Sequence, residues 1–178
     1  MSNALYLDGF LIALVLAACL QDLAERKIPN RLVLCGLFCA GALHLNSATP
    51  FNIVAVGLAG SAVGLIAFLP LYLLRGMAAG DVKLMAMVGA FTGVELAMEI
   101  AIAAFCAGGV MALVMVAQNG RWRDFAANMR ILLRPLYMRV LGMPYAREQL
   151  AGGSSVGGMP YGVAIASATC LMLWIRHG

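Results

Sequence analysis

The chain has 178 residues, of which 63% are hydrophobic and 11% charged, with twelve basic and eight acidic residues for a net charge of +4. Soluble domains carry roughly a quarter charged residues, so this composition excludes a soluble globular domain and predicts an integral membrane protein organised as one polytopic domain over 1–178. The basic residues flank apolar segments, which points to anionic lipid headgroups as their partner and away from nucleic acid.

Leu5 to Gln21 is the first apolar segment, without a basic stretch before it or a small-residue cleavage site after it, and is read as a retained first span over about 5–21. A short basic loop from Asp22 to Arg31 follows, including Arg26 and Lys27. In it Pro29 ends one helix and Asn30 is expected to cap the next. Leu32 to Leu74 contains no Asp, Glu, Lys or Arg. Its length and the turn-forming residues from His44 to Asn52 predict two spans, 32–45 and 53–74. The second carries Gly57, Gly60, Ser61 and Gly64, a small-residue face suited to close helix packing in lipid. The five cysteines show no Cys-x-x-Cys spacing, and Cys35 and Cys39, one helical turn apart, are read as packed or lipid-facing thiols.

Gly76 to Gly120 is apolar apart from Asp81, Lys83, Glu95 and Glu99. Two spans, 82–95 and 98–118, are expected there, with a turn between Phe91 and Glu99. The segment 119–155 carries Trp122, Phe125, Met129, Leu132, Leu133 and Leu136 at helical spacing with Arg123, Arg130 and Arg134 on another side, which predicts an amphipathic helix on the membrane surface. It would anchor to anionic lipid or dock a membrane-bound substrate. A last span is expected over 156–175. Alternating the loops puts eleven of the twelve basic residues on one side and only Arg176 on the other. Basic loops stay in the cytoplasm, so the reading is an all-α protein of six transmembrane helices with both termini outside.

This topology carries Asp22, at the end of the first span, and Asp81, at the start of the fourth, to the same membrane face. Carboxylates at that depth are costly and point to function. Two close carboxylates hold one proton between them, so one activates water while the other protonates the scissile carbonyl, which is aspartic-protease chemistry. Ordinary ion pairs, Asp22 with Arg26 or Lys27 and Asp81 with Lys83, are the plain alternative. His44 and His177 are each alone on the other face. No metal-binding motif, phosphate loop or nucleophile elbow is present, and no cofactor is called for.

Three motifs in order give a resemblance: Asp22 followed across the basic loop by Ile28-Pro29-Asn30; Gly80-Asp81-Val82-Lys83-Leu84; and Met159-Pro160-Tyr161-Gly162-Val163-Ala164. The chain resembles the type IV prepilin peptidases, membrane aspartic proteases that cut the leader from pilin-like precursors at the cytoplasmic face of the bacterial inner membrane. The resemblance implies Asp22 and Asp81 as the catalytic pair, supported by Gly80, Lys83, Lys27, Pro29, Asn30, Pro160, Tyr161 and Gly162. Lys83 would act as a helix-start charge or tune Asp81, Pro160 would start the last helix, and Gly162 would make a close packing contact. Longer members carry a cytoplasmic cysteine cluster with a methyltransferase part. Its absence likens this chain to the short, peptidase-only branch that serves Flp-type pili. The expected partners are prepilins with a basic leader and a hydrophobic helix, anionic lipids and the pilus assembly machinery. The family pattern is Gly-x-Gly-Asp, and here Ala78 replaces the first glycine, which gives up easy access to positive φ at that position. Rival readings of the same carboxylates are a proton-coupled transporter or channel subunit, a presenilin-like intramembrane protease, and a non-catalytic scaffold.

Overall fold

The computed structural model describes residues 2–45, 50–73, 76–120, 122–123, 126–127, 130 and 160–177. It is all-helical over these residues: α1 (Ser2–Glu25), α2 (Asn30–Leu45), α3 (Pro50–Leu73), α4 (Ala79–Asn119) and α5 (Tyr161–His177). The chain divides into two compact units, residues 1–109 with 159–178, and residues 110–158. Within the second unit α4 closes at Asn119, whose Nδ2 donates to the Met115 carbonyl at 2.8 Å, followed by Gly120 at φ 63°. The expected amphipathic helix over 119–155 lies almost wholly outside the described residues.

The first unit contains the core and both aspartates. Among the described residues three helices, over Leu7–Glu25, Val54–Leu73 and Ala79–Asn119, are long and apolar enough to cross a membrane. Outward side chains on long and short helices alike are apolar: Leu58 on α3 is 68% exposed, Phe38 on α2 76% and Trp174 on α5 72%. Such surfaces belong against lipid. The expectation of six spans is not met as a count of long helices. α2 and α5, at 16 and 17 residues, fall about one turn short of the 20 or so that cross a bilayer. Residues 79–119, expected as two spans, run as one helix interrupted at a single position. The last helix begins at Tyr161, five residues after the expected start, because Pro160 sets its first turn: the Val163 amide donates to the Pro160 carbonyl at 3.2 Å.

The interruption in α4 is Gly93, at φ 77° and ψ −175°, a backbone conformation essentially restricted to glycine. Its consequence follows from α3. A Cβ built on Gly64 would strike the Met85 carbonyl, while Phe68, one turn further along α3, stacks its ring on Phe105 with centroids 4.6 Å apart. In an unbroken helix Met85 and Phe105 would lie about 30 Å apart, at 1.5 Å per residue. One turn of α3 touches both, so α4 folds back at Gly93. The turn therefore falls inside the expected window between Phe91 and Glu99. Residues 84–91 are buried without a break, with α3 against Met85, Gly89 and Ala90 and α2 reaching Met87 at Gly36 and Ala90 through His44.

The small residues of α3 make this packing possible. Gly57 faces the Ala90 carbonyl, Gly60 faces Gly89 and Gly93, and Gly64 faces Met85. As residue numbers rise along α3 they fall along α4, so the two pack antiparallel with their backbones in contact, as the small-residue face predicts. Gly57 also opens room for His44, whose Nε2–H donates to the Ala90 carbonyl at 2.7 Å. His44 is thus a buried tie between α2 and α4. α1 and α5 pack antiparallel and are pinned at both ends: Asp22 meets Gly162, and Asp8 meets His177 Nε2 at 2.7 Å. His177, read as alone, has a carboxylate partner.

Candidate active site

The site is assembled from helix ends. α1 runs four residues past the expected span limit, so Asp22 sits in its last turns and not in the loop, and the helix closes on Arg26, which takes a left-handed φ of 52° while its amide donates to the Asp22 carbonyl at 3.0 Å. α2 starts at Asn30, and the Pro29 carbonyl accepts the Leu32 and Val33 amides. Contrary to expectation, Asn30 does not cap this helix with its side chain. Instead its Oδ1 accepts from Lys83 Nζ at 2.9 Å, joining α2 to α4.

Asp22 and Asp81 are both buried, at 5% and 4% exposure, in a protein whose other acids among the described residues lie at or near the surface. They are close enough for the charge of Asp22 to bear on Asp81. Asp81 lies in the first turn of α4, where the Ala78 amide donates to its Oδ2 at 3.3 Å and its own amide donates to the Ala78 carbonyl at 3.2 Å. Ala78 is not among the residues with positive φ. The glycine of the family pattern is therefore not needed here for backbone conformation. Gly80 is needed for space: a Cβ there would lie 3.2 Å from Cβ of Ile28, which lies in the basic loop. That contact seats the segment after Asp22 against the start of α4.

Two features come from α5 and were legible in the sequence only as a motif. The Gly162 amide donates to Asp22 Oδ2 at 2.8 Å, and a Cβ on Gly162 would lie 2.8 Å from that same oxygen. Gly162 does make the expected close contact, but the partner is the aspartate itself. Tyr161 stands within electrostatic reach of Asp81, its ring edge-on to Phe68 at 6.2 Å and its hydroxyl against Gly108. One dipeptide thus touches the surroundings of both acids. Lys83 turns to Asn30, and Lys27 is exposed. Among the described residues neither lysine forms an ion pair with an aspartate, so the plain reading of Asp22 with Lys27 and of Asp81 with Lys83 does not hold. Nor does Lys83 contact Asp81. A cavity of about 390 Å³ beside it, lined by Asn30, Val33, Leu37, Ser61 and Ala86, includes neither acid in its lining.

An all-helical, lipid-facing protein with two carboxylates buried together at helix ends defines a membrane protein with an internal acid pair. The chain belongs to the type IV leader peptidase family, whose pattern it matches over residues 9–113, more than half its length. It is therefore a peptidase of the membrane. No curated protein and no solved structure matches it. The matched range contains Asp22 and Asp81 and stops before Tyr161 and Gly162.

Proposed function

We propose that this protein is an aspartic endopeptidase that removes the short basic leader from Flp-type prepilins at the cytoplasmic face of the bacterial inner membrane, with Asp22 and Asp81 as its catalytic pair. The observation that carries the reading is the burial of both carboxylates within electrostatic reach of each other in a leader peptidase. Isolated buried carboxylates are expensive, and a pair that shares one proton is the arrangement that activates water and protonates a carbonyl. Six crossings with both termini outside fit the loop charges, with the fold-back at Gly93 dividing the fourth from the fifth. The two short helices cross where protein or water covers their ends. The missing cysteine cluster favours the peptidase-only branch, without methyltransferase activity. Substrate is positioned by the bilayer, which holds the prepilin's hydrophobic helix and presents the bond before it.

Co-expression with a prepilin tests this. Wild type removes the leader, and Asp22→Asn and Asp81→Asn each abolish removal while the protein still accumulates in the membrane. Normal processing by either variant refutes the pair. A wild-type protein that leaves the precursor intact yet conducts protons would establish the transporter instead.

A further inference from the structure

The two aspartates are not held alike. Asp22 Oδ2 accepts a backbone amide at 2.8 Å from another helix, within the range of charge-assisted bonds. Asp81 Oδ2 is 3.3 Å from the Ala78 amide, just outside the usual N–H···O range. We propose that the Gly162 amide, by holding Oδ2 of Asp22, fixes Asp22 as the ionised, water-activating member of the pair and leaves Asp81 to carry the shared proton. The inference rests on the catalytic reading of the pair and adds a positioning residue and a division of labour to it.

Three observations support the asymmetry. An amide N–H only donates, so the oxygen it meets must be an acceptor, and the bond is strongest when that oxygen is charged. Gly162 is the second residue of a 17-residue helix, so its amide has no partner within α5 and is free to be spent on Asp22. Asp81 lies at the N-terminus of α4, and Asp22 lies against that of α5 but also in the last turns of α1, whose C-terminal end opposes a negative charge, so the helix dipoles do not single out Asp22 and the assignment rests on the direct bond. Glycine is required at 162 because a Cβ would lie 2.8 Å from Oδ2 and 3.0 Å from Cβ of Asp22, pushing the carboxylate off the amide.

With Oδ2 occupied, Oδ1 of Asp22 is the oxygen left for chemistry. It takes a proton from water as the water oxygen bonds to the scissile carbonyl carbon, and Asp81 gives its proton to the carbonyl oxygen, forming a neutral gem-diol. Asp22 then passes its proton to the amide nitrogen while Asp81 recovers one from a diol hydroxyl. The C–N bond breaks, and both acids return to their starting states.

The experiment is the pH dependence of leader cleavage by purified protein in anionic-lipid bicelles, for wild type, Gly162→Ala and a control on the same helix, Ser167→Ala. The ionisable groups that interact with Asp22 are Cys19 on α1 and Asp81 on α4, while Tyr161 and Cys170 on α5 bear on Asp81 and Cys19 respectively. Glu25, Arg26, Lys27 and Arg31 beyond it are exposed. Loss of a bond to the charged form makes Asp22 take up its proton at higher pH. The acid limb of kcat/KM for Gly162→Ala should therefore move up by about one pH unit, with kcat about tenfold lower and KM little changed. Ser167→Ala should follow wild type. An acid limb that stays in place overturns the assignment while leaving the pair intact, whereas cleavage that survives in Asp22→Asn or Asp81→Asn overturns the pair itself. Should Gly162→Ala not fold, isotope-edited infrared spectra decide. The protonated-carboxyl band of wild type at neutral pH should vanish in Asp81→Asn. Its persistence there and loss in Asp22→Asn reverses the roles.

Discussion

The fold-back at Gly93 yields a stability prediction of defined size. Gly93→Ala forces a Cβ into a backbone conformation, φ 77° and ψ −175°, that costs a non-glycine residue about 1–3 kcal/mol. The same Cβ lies 2.9 Å from Cγ1 of Val56, a half-exposed but β-branched side chain with few rotamers to move into, adding about 1 kcal/mol. The sum, about 2–4 kcal/mol, corresponds to a roughly 30- to 900-fold shift in the unfolding equilibrium. Reversible unfolding in mixed detergent micelles measures it, and Gly109→Ala in the same helix supplies the comparison. Gly109 has ordinary φ, and a Cβ there meets nothing within 4 Å, so alanine should stabilise by up to about 1 kcal/mol. The opposite signs of two identical substitutions isolate the backbone effect. If Gly93→Ala proves as stable as Gly109→Ala, the chain does not turn on that residue and the fold-back is wrong.

Two further outcomes follow from contacts away from the acids. Gly89→Ala places a Cβ against the Gly60 carbonyl, where backbone meets backbone and neither can rotate aside, and should cost about 1–3 kcal/mol in the same unfolding assay. Lys83→Ala removes an exposed bond to Asn30, so a double-mutant cycle with Asn30→Ala should give a coupling below about 1 kcal/mol, and leader cleavage should stay within about twofold of wild type. A tenfold loss of cleavage in Lys83→Ala would mean that the lysine acts on the chemistry after all.

What the sequence made legible is what depends on local pattern. Apolar length located the helices, loop charge brought Asp22 and Asp81 to one end, and the spacing of Gly57, Gly60 and Gly64 announced a packing face. The acids Glu95 and Glu99 marked a turn near Gly93. What stayed hidden is pairing across long separations. Asn30 has the composition of a cap, yet its acceptor is used by Lys83, 53 residues on. His44 looked isolated because its partner is a backbone carbonyl, which every residue has. Ala78 looked like a defect because the pattern assigned glycine there, whereas the structure uses no positive φ at 78. In lipid an inward face and an outward face are both apolar, so α4 offers no periodicity by which to orient it. The dependence of that turn on a single residue was likewise illegible, since nothing local distinguishes Gly93 from the packing glycines around it.

The position of the acids at helix ends has a physical reason. A carboxylate buried in a helical membrane protein needs donors, and the middle of a helix has none, because each amide there is committed to the carbonyl four residues back. Only the first turn of a helix has amides to spare. The amide before α4 serves Asp81 and the amide within the first turn of α5 serves Asp22, so both acids draw on the one class of donor that a helical bundle leaves free. This also explains why a site whose two acids lie within residues 9–113 depends on a helix that begins at Tyr161. The family pattern contains the acids, but one of the amides that hold them comes from beyond it. A chain cut after α4 would keep both aspartates and lose the donor to Asp22, so restoring α5 as a separate segment should recover cleavage only when residue 162 can approach Asp22 without a side chain.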